Sequence, residues 1–314
     1  MNVSPPAVSV SELHKTLGRT HALRGLELSV PAGTVHGFLG PNGAGKSTTI
    51  RILLGLIRRD SGSVRVLGGD PISDALEIHR RTAYVPGDVA FWPGLTGGET
   101  LDVIARIRGG FDEQRRDELI ERFALDPSKK TSAYSKGNRQ KVALIGAFAA
   151  DADLLILDEP TTGLDPLMYA VFAECVRAAA GRGATILLSS HILSEVEQLC
   201  EATTIIRAGR TVQSGTLAEL RHLARTHVTA RTVHSPDALA SADGVTNVTV
   251  VSEGGGYRLT CDAEPEALPA ITAALSRAGV RELVCTPPTL EDLFLTYYAN
   301  EDEAAAPAKE SARR

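Results

Sequence analysis

Two kinds of apolar pattern alternate along this chain. Residues 8–13 and 26–30 alternate apolar and polar side chains, as half-exposed strands do. Residues 35–39, 154–157 and 185–188 are instead continuous apolar runs, which suit parallel strands buried on both faces. Shorter strands are expected at 63–67 and at 82–86, where Pro86 stops the run. Helices are expected at 49–54, 71–81 and 167–180. Between residues 96 and 150 the apolar spacing becomes three and four, predicting a helical insert, with helices at 99–108 and 113–124. Residues 202–207 and 211–215 are expected as edge strands about a turn at Gly209, and 217–225 as the closing helix.

After residue 225 the composition shifts. Strands at 227–233, 245–251, 257–261 and 280–285 and an amphipathic helix at 266–278 predict a small α+β appendage. Thr289 and Asp292 form a capping box for a helix over 290–298. Residues 300–314 are charged and Ala-rich and are expected to be disordered. The organisation is therefore an α/β domain over 1–225 with its helical insert at about 88–150, an appendage over 226–299, and a tail.

Composition narrows the class. The chain has 314 residues, 43% hydrophobic and 23% charged, as ordinary globular proteins have. A formal net charge of -5 argues against a general nucleic-acid binder. Cys175, Cys200, Cys261 and Cys285 lie far apart and read as reduced thiols rather than a metal site or disulfide frame. No signal peptide is expected at the N-terminus, and no apolar run reaches membrane-spanning length.

The candidate chemistry lies in Gly40-Pro41-Asn42-Gly43-Ala44-Gly45-Lys46-Ser47-Thr48, between a strand and a helix. Two glycines flanking four free positions, then Lys and Ser, is the phosphate-loop spacing. The glycines let backbone N–H groups crowd a polyphosphate. Lys46 can reach the β- and γ-phosphates, and Ser47 offers a hydroxyl to Mg²⁺. The helix that follows turns its positive end to the phosphates. At the end of a buried strand, Asp158 suits a metal held through water, and Glu159 could polarise the attacking water. Ser135 reads as the N-cap of a helix whose first N–H groups form a second anion seat.

With these motifs in order, together with Gly163-Leu164-Asp165 and Ser189-Ser190-His191, the chain resembles the ATP-binding cassette (ABC) ATPases over roughly residues 8–225. The appendage resembles that of bacterial drug- and antibiotic-exporter cassettes whose permease is a separate chain. The resemblance implies ATP and Mg²⁺ as cofactors and a dimer of cassettes, identical or not, facing each other head to tail. It implies that Ser135 and Gly137 bind the γ-phosphate in trans, that Asp165 communicates across the interface, and that His191 contacts the γ-phosphate. It further implies an ATP-hydrolysing motor on the cytoplasmic face of the cell membrane, coupled to export by a permease partner. A soluble cassette acting on ribosomes or DNA, and a regulatory or self-resistance cassette, are the other readings.

Three positions depart from the family pattern. Lys136 stands where the signature has Gly. Gly87-Asp88 stands where a metal- and permease-sensing Gln is usual. Leu17 stands where an aromatic residue stacks on adenine, so base stacking is expected to be weaker or to come from elsewhere, with His21 as a candidate. Phe91-Trp92-Pro93 suits either a groove for the permease or packing within the insert.

Overall fold

The computed structural model describes residues 5–286 apart from 223–224, 238 and 240–241. The capping box at Thr289 and Asp292, its helix and the charged tail lie outside the described residues. The chain divides into two units, residues 1–215 and 216–314.

The first unit opens with a long hairpin, β1 (Val8–Leu17) and β2 (Thr20–Val30), followed by β3 (Val35–Leu39) and α1 (Lys46–Leu53). Next come β4 (Ser61–Val66), α2 (Ala75–Arg81) and β5 (Thr82–Val85). The insert carries α3 (Gly97–Arg108), α4 (Glu113–Arg122) and α5 (Lys136–Ala149). The chain continues through β6 (Leu154–Asp158), α6 (Pro166–Gly181), β7 (Thr185–Ser190), α7 (Leu193–Leu199), β8 (Ala202–Arg207) and β9 (Arg210–Thr216).

Two sheets result. A three-stranded antiparallel sheet has the order β2-β1-β4, and a six-stranded sheet has the order β5-β6-β7-β3-β8-β9. In the larger sheet β3 runs parallel to β7 and β8, and β6 runs parallel to β5 and β7. The continuous apolar strands β3, β6 and β7 are buried along their whole length, as parallel strands covered on both faces must be. Ile50, Ile52 and Leu53 of α1 share one core with Val8, Val10, Leu28 and Val64 of the small sheet and Phe38, Leu154 and Ile156 of the large one. The helix that follows the phosphate loop is therefore clamped between both sheets.

Two local expectations change, and one helix was not expected. β8 is not an edge strand: it lies between β3 and β9 with Thr203 to Ile206 buried, and of the two only β9 stands at an edge. Residues 71–74 form a turn before α2, because the Asp70 carboxylate accepts hydrogen bonds from the Ile72 and Ser73 N–H groups. α7 is a helix that no sequence signal announced, since its N-cap residue Ile192 supplies no side-chain cap.

In the second unit α8 (Leu217–His222) precedes β10 (Thr226–Thr232), β11 (Val245–Glu253), β12 (Gly256–Ala263), α9 (Leu268–Arg277) and β13 (Val280–Thr286). The sheet order is β11-β12-β10-β13, antiparallel throughout. Ile271 and Leu275 of α9 pack on Val228, Ala230, Leu259 and Cys261, which makes this a two-layer α+β unit.

Candidate functional site

The phosphate loop joins the end of β3 to α1. A Cβ on Gly40 would stand 2.5 Å from the Ile206 carbonyl oxygen, and Gly45 has φ +112°, so both positions exclude larger residues. No side chain caps α1, and no acid stands in its first turn. Its first N–H groups thus remain available to an anion. Lys46 is buried; its ammonium donates to the carbonyl oxygens of Gly40 at 2.6 Å and Pro41 at 3.3 Å. Ala44 is buried, and its carbonyl accepts from the Gly209 N–H.

The loop opens on a cleft of about 340 Å³. Pro41, Asn42, Gly43, Gly45, Lys46, Ser47 and Thr48 form one wall, and Glu159 reaches in from β6. Thr20, His21, Ala22, Arg24 and Ala208 form the other side. The β1–β2 hairpin thus contributes groups that no motif marked, apart from His21. Leu17 is 44% exposed and does not line the cleft, whereas His21 does, with its Nδ1 3.1 Å from the Thr16 hydroxyl.

The acidic pair ends β6. Asp158 is buried and accepts a hydrogen bond from the Ser189 hydroxyl at 2.5 Å. Glu159 has φ +48°, a left-handed conformation uncommon outside Gly and Asn. Its Oε1 lies 3.5 Å from Lys46 Nζ and 3.4 Å from His191 Nδ1, so one carboxylate faces both the ammonium and the imidazole. Burial, and then the negative charge of Asp158, push the Tyr84 phenol up to about 12. Gly87 lies against the pair: a Cβ there would stand 3.2 Å from the Asp158 carbonyl oxygen. Asp88 is exposed.

The oxygen donors here, the Ser47 hydroxyl at the cleft and the Asp158 carboxylate, suit a hard cation such as Mg²⁺. Glycine at 40 and 45 lets the loop pack against Ile206 and Leu23, and the uncapped start of α1 with the Lys46 ammonium suits a polyphosphate.

Ser135, Gly137 and Asp165 are not among the residues lining this cleft. Ser135 caps α5 by accepting from the Asn138 N–H at 3.2 Å, and Asp165 caps α6 by accepting from the Met168 N–H at 2.9 Å. Gly137 packs tightly on Gly163, so the signature turn and the segment carrying Asp165 form one local unit. The chain thus carries a phosphate loop at the cleft and, apart from it, a second helix N-terminus.

A parallel sheet with a phosphate loop, an uncapped helix and an acidic strand end defines a phosphate-loop nucleotide-binding domain. Residues 23–162 match the ABC transporter family, and residues 215–298 match the C-terminal domain of DrrA1-3-like ATP-binding proteins. The chain is 35% identical, over 99% of its length and 98% of the relative's, to the daunorubicin/doxorubicin resistance ATP-binding protein DrrA of Streptomyces peucetius. It is 34% identical to Nod factor export ATP-binding protein I of Burkholderia orbicola, over 96% of this chain and 99% of that one. A solved ATP-binding subunit of an ABC transporter superposes with a TM-score of 0.66 at 32% identity, covering 69% of this chain and 92% of that one. The chain belongs to the ATP-binding proteins of ABC transporters and is an ATPase of that family. Among the described residues no helix is long and apolar enough to cross a membrane.

Proposed function

We propose that this chain is the motor subunit of an exporter. It turns ATP hydrolysis into movement of a separate permease chain, from the cytoplasmic face of the membrane. The observation that carries the chemistry is Glu159 reaching into the cleft with Lys46 and His191 on either side. In this reading residues 40–48 seat the triphosphate and Lys46 leaves Glu159 for the phosphates. Ser47 and Asp158 hold Mg²⁺, which supplies charge neutralisation at the phosphates. Glu159 takes a proton from the attacking water, and His191 contacts the γ-phosphate.

A second cassette completes the pocket. Ser135 and Gly137 of one copy close on the triphosphate of the other, and Asp165 lies at their junction. Two observations support this: both half-sites are present in one chain, and the second helix N-terminus does not line its own chain's cleft. Export of drugs or similar small molecules is supported by the names of the relatives, one a drug-resistance protein and one a Nod factor exporter. Phe91 lines a small cleft with Pro86, Val89 and Ile104, while Trp92 beside it is 55% exposed. These aromatics suit a seat for a permease segment. The cassette is read as ending near residue 225, with the appendage as a separate module.

Glu159→Gln tests the reading. Turnover should fall on the order of 10²–10⁴-fold, the range for a positioned base. ATP binding should persist, and the trapped dimer should co-purify with a membrane chain. Unchanged hydrolysis, or co-purification with ribosomes or DNA instead, overturns it.

A further inference from the structure

We infer that Ser189 is the positioning residue that holds the Asp158 carboxylate and the Glu159 backbone of the hydrolytic site, an inference that rests on the ATPase reading above. Ser189 stands on β7 directly beside Asp158 of β6, and none of its surface is exposed. Its hydroxyl does two things at once. It donates to Asp158 Oδ1 at 2.5 Å, and it accepts from the Glu159 N–H at 3.3 Å. The Ser189 carbonyl accepts from the same N–H at 3.1 Å.

This arrangement answers two needs. The hydroxyl engages one oxygen of Asp158, turns the carboxylate and leaves Oδ2 for a metal-bound water. Glu159 must also remain at φ +48°, where a residue with a Cβ does not stay unless its surroundings hold it. Two acceptors on Ser189 hold the N–H that this conformation presents. The residue after it, Ser190, is used differently: its hydroxyl donates to Glu195 of α7 at 2.9 Å and accepts from the Ile192 N–H at 2.9 Å. The end of β7 thus divides its labour, one serine orienting the acids and the next shaping the turn that carries His191.

Ser189→Thr, Ser189→Val and Ser189→Ala, with Glu159→Gln alongside, test this. Thr and Val share a shape and differ in the hydroxyl, so the pair remains informative if the Ala variant folds poorly. Expected is near wild-type kcat in Ser189→Thr and a fall of about 10- to 100-fold in Ser189→Val, the worth of one hydrogen bond to a charged group. Affinity for metal-free ATP should stay within about twofold of wild type, since the triphosphate seat is untouched. Mn²⁺ titrated into the protein–ADP complex and read by electron paramagnetic resonance should bind about tenfold more weakly to Ser189→Val than to Ser189→Thr. Equal kcat and equal Mn²⁺ affinity in Thr and Val overturn the proposal, as does a loss confined to metal-free ATP affinity. If Glu159→Gln hydrolyses ATP normally, the assignment of Glu159 as the base in the proposed function fails; if only the Ser189 variants do, the failure is this inference alone.

Discussion

Gly137 and Gly163 touch so closely that no side chain fits between them: a Cβ on Gly137 would stand 2.5 Å from the Gly163 carbonyl oxygen. The signature turn is thereby fastened to the segment that runs from the acidic pair to Asp165. Gly163 itself has φ +84°, so neither partner of the contact accommodates a larger residue.

Gly137→Ala should therefore lower stability by about 1–3 kcal/mol through overpacking against backbone. Steady-state hydrolysis should be lost, while nucleotide affinity of the isolated chain should hold, because Gly137 does not line the cleft. A thermal melt with and without ATP, beside an ATPase assay, checks all three outcomes. Equal loss of nucleotide binding would contradict the separation of the two half-sites.

His21 lines the cleft with its Nδ1 3.1 Å from the Thr16 hydroxyl, and it is the candidate for the base stacking that Leu17 does not supply. His21→Ala should weaken ATP binding by about tenfold, as removal of a stacking platform does, and leave inorganic triphosphate binding unchanged. Competition titrations with both ligands distinguish a base contact from general loss of the loop.

His36 sits buried in β3, its Nε2 2.9 Å from the Thr204 hydroxyl and its Nδ1 without a partner. Burial lowers its pKa from 6.5 to about 4. Between those values the unfolded chain binds the proton that the folded chain refuses. Stability therefore falls as pH drops from 6.5 to 4, by on the order of 3 kcal/mol from this residue. His36→Leu should flatten that part of the profile, since Thr204 keeps Ser214 as a partner at 2.8 Å. Urea midpoints at pH 7 and pH 5 for both proteins measure the difference.

Of the four cysteines, Cys175, Cys200 and Cys261 are buried and Cys285 is exposed. Burial pushes the Cys175 thiol up to about 11 and raises Cys200 and Cys261 as well. Iodoacetamide at pH 8 should label Cys285 alone in the native protein and all four thiols in denaturant, as intact mass will report.

Much of this molecule was legible in the order of its residues. The spacing from Gly40 to Thr48 needs only local backbone to make a phosphate seat, and the run 154–157 needs only its own apolarity to become a buried strand ending in two acids. Caps such as Ser135 at α5 are equally local, since each hydroxyl bonds an N–H three residues away. α7 escaped notice for the same reason, as it begins without a capping side chain.

What the chain order could not decide is everything made by strands and turns far apart. Ser189 meets Asp158 across 31 residues because β6 and β7 are neighbours in a parallel sheet. His191, Lys46 and Glu159 converge because the parallel strands β3, β6 and β7 finish at the same end of that sheet. The placing of β8 inside the sheet and the left-handed turn at Glu159 are likewise settled by packing, which local side-chain pattern does not encode. Chemistry that depends on one segment can be read along the chain; chemistry that depends on two segments meeting exists only once the sheet has assembled.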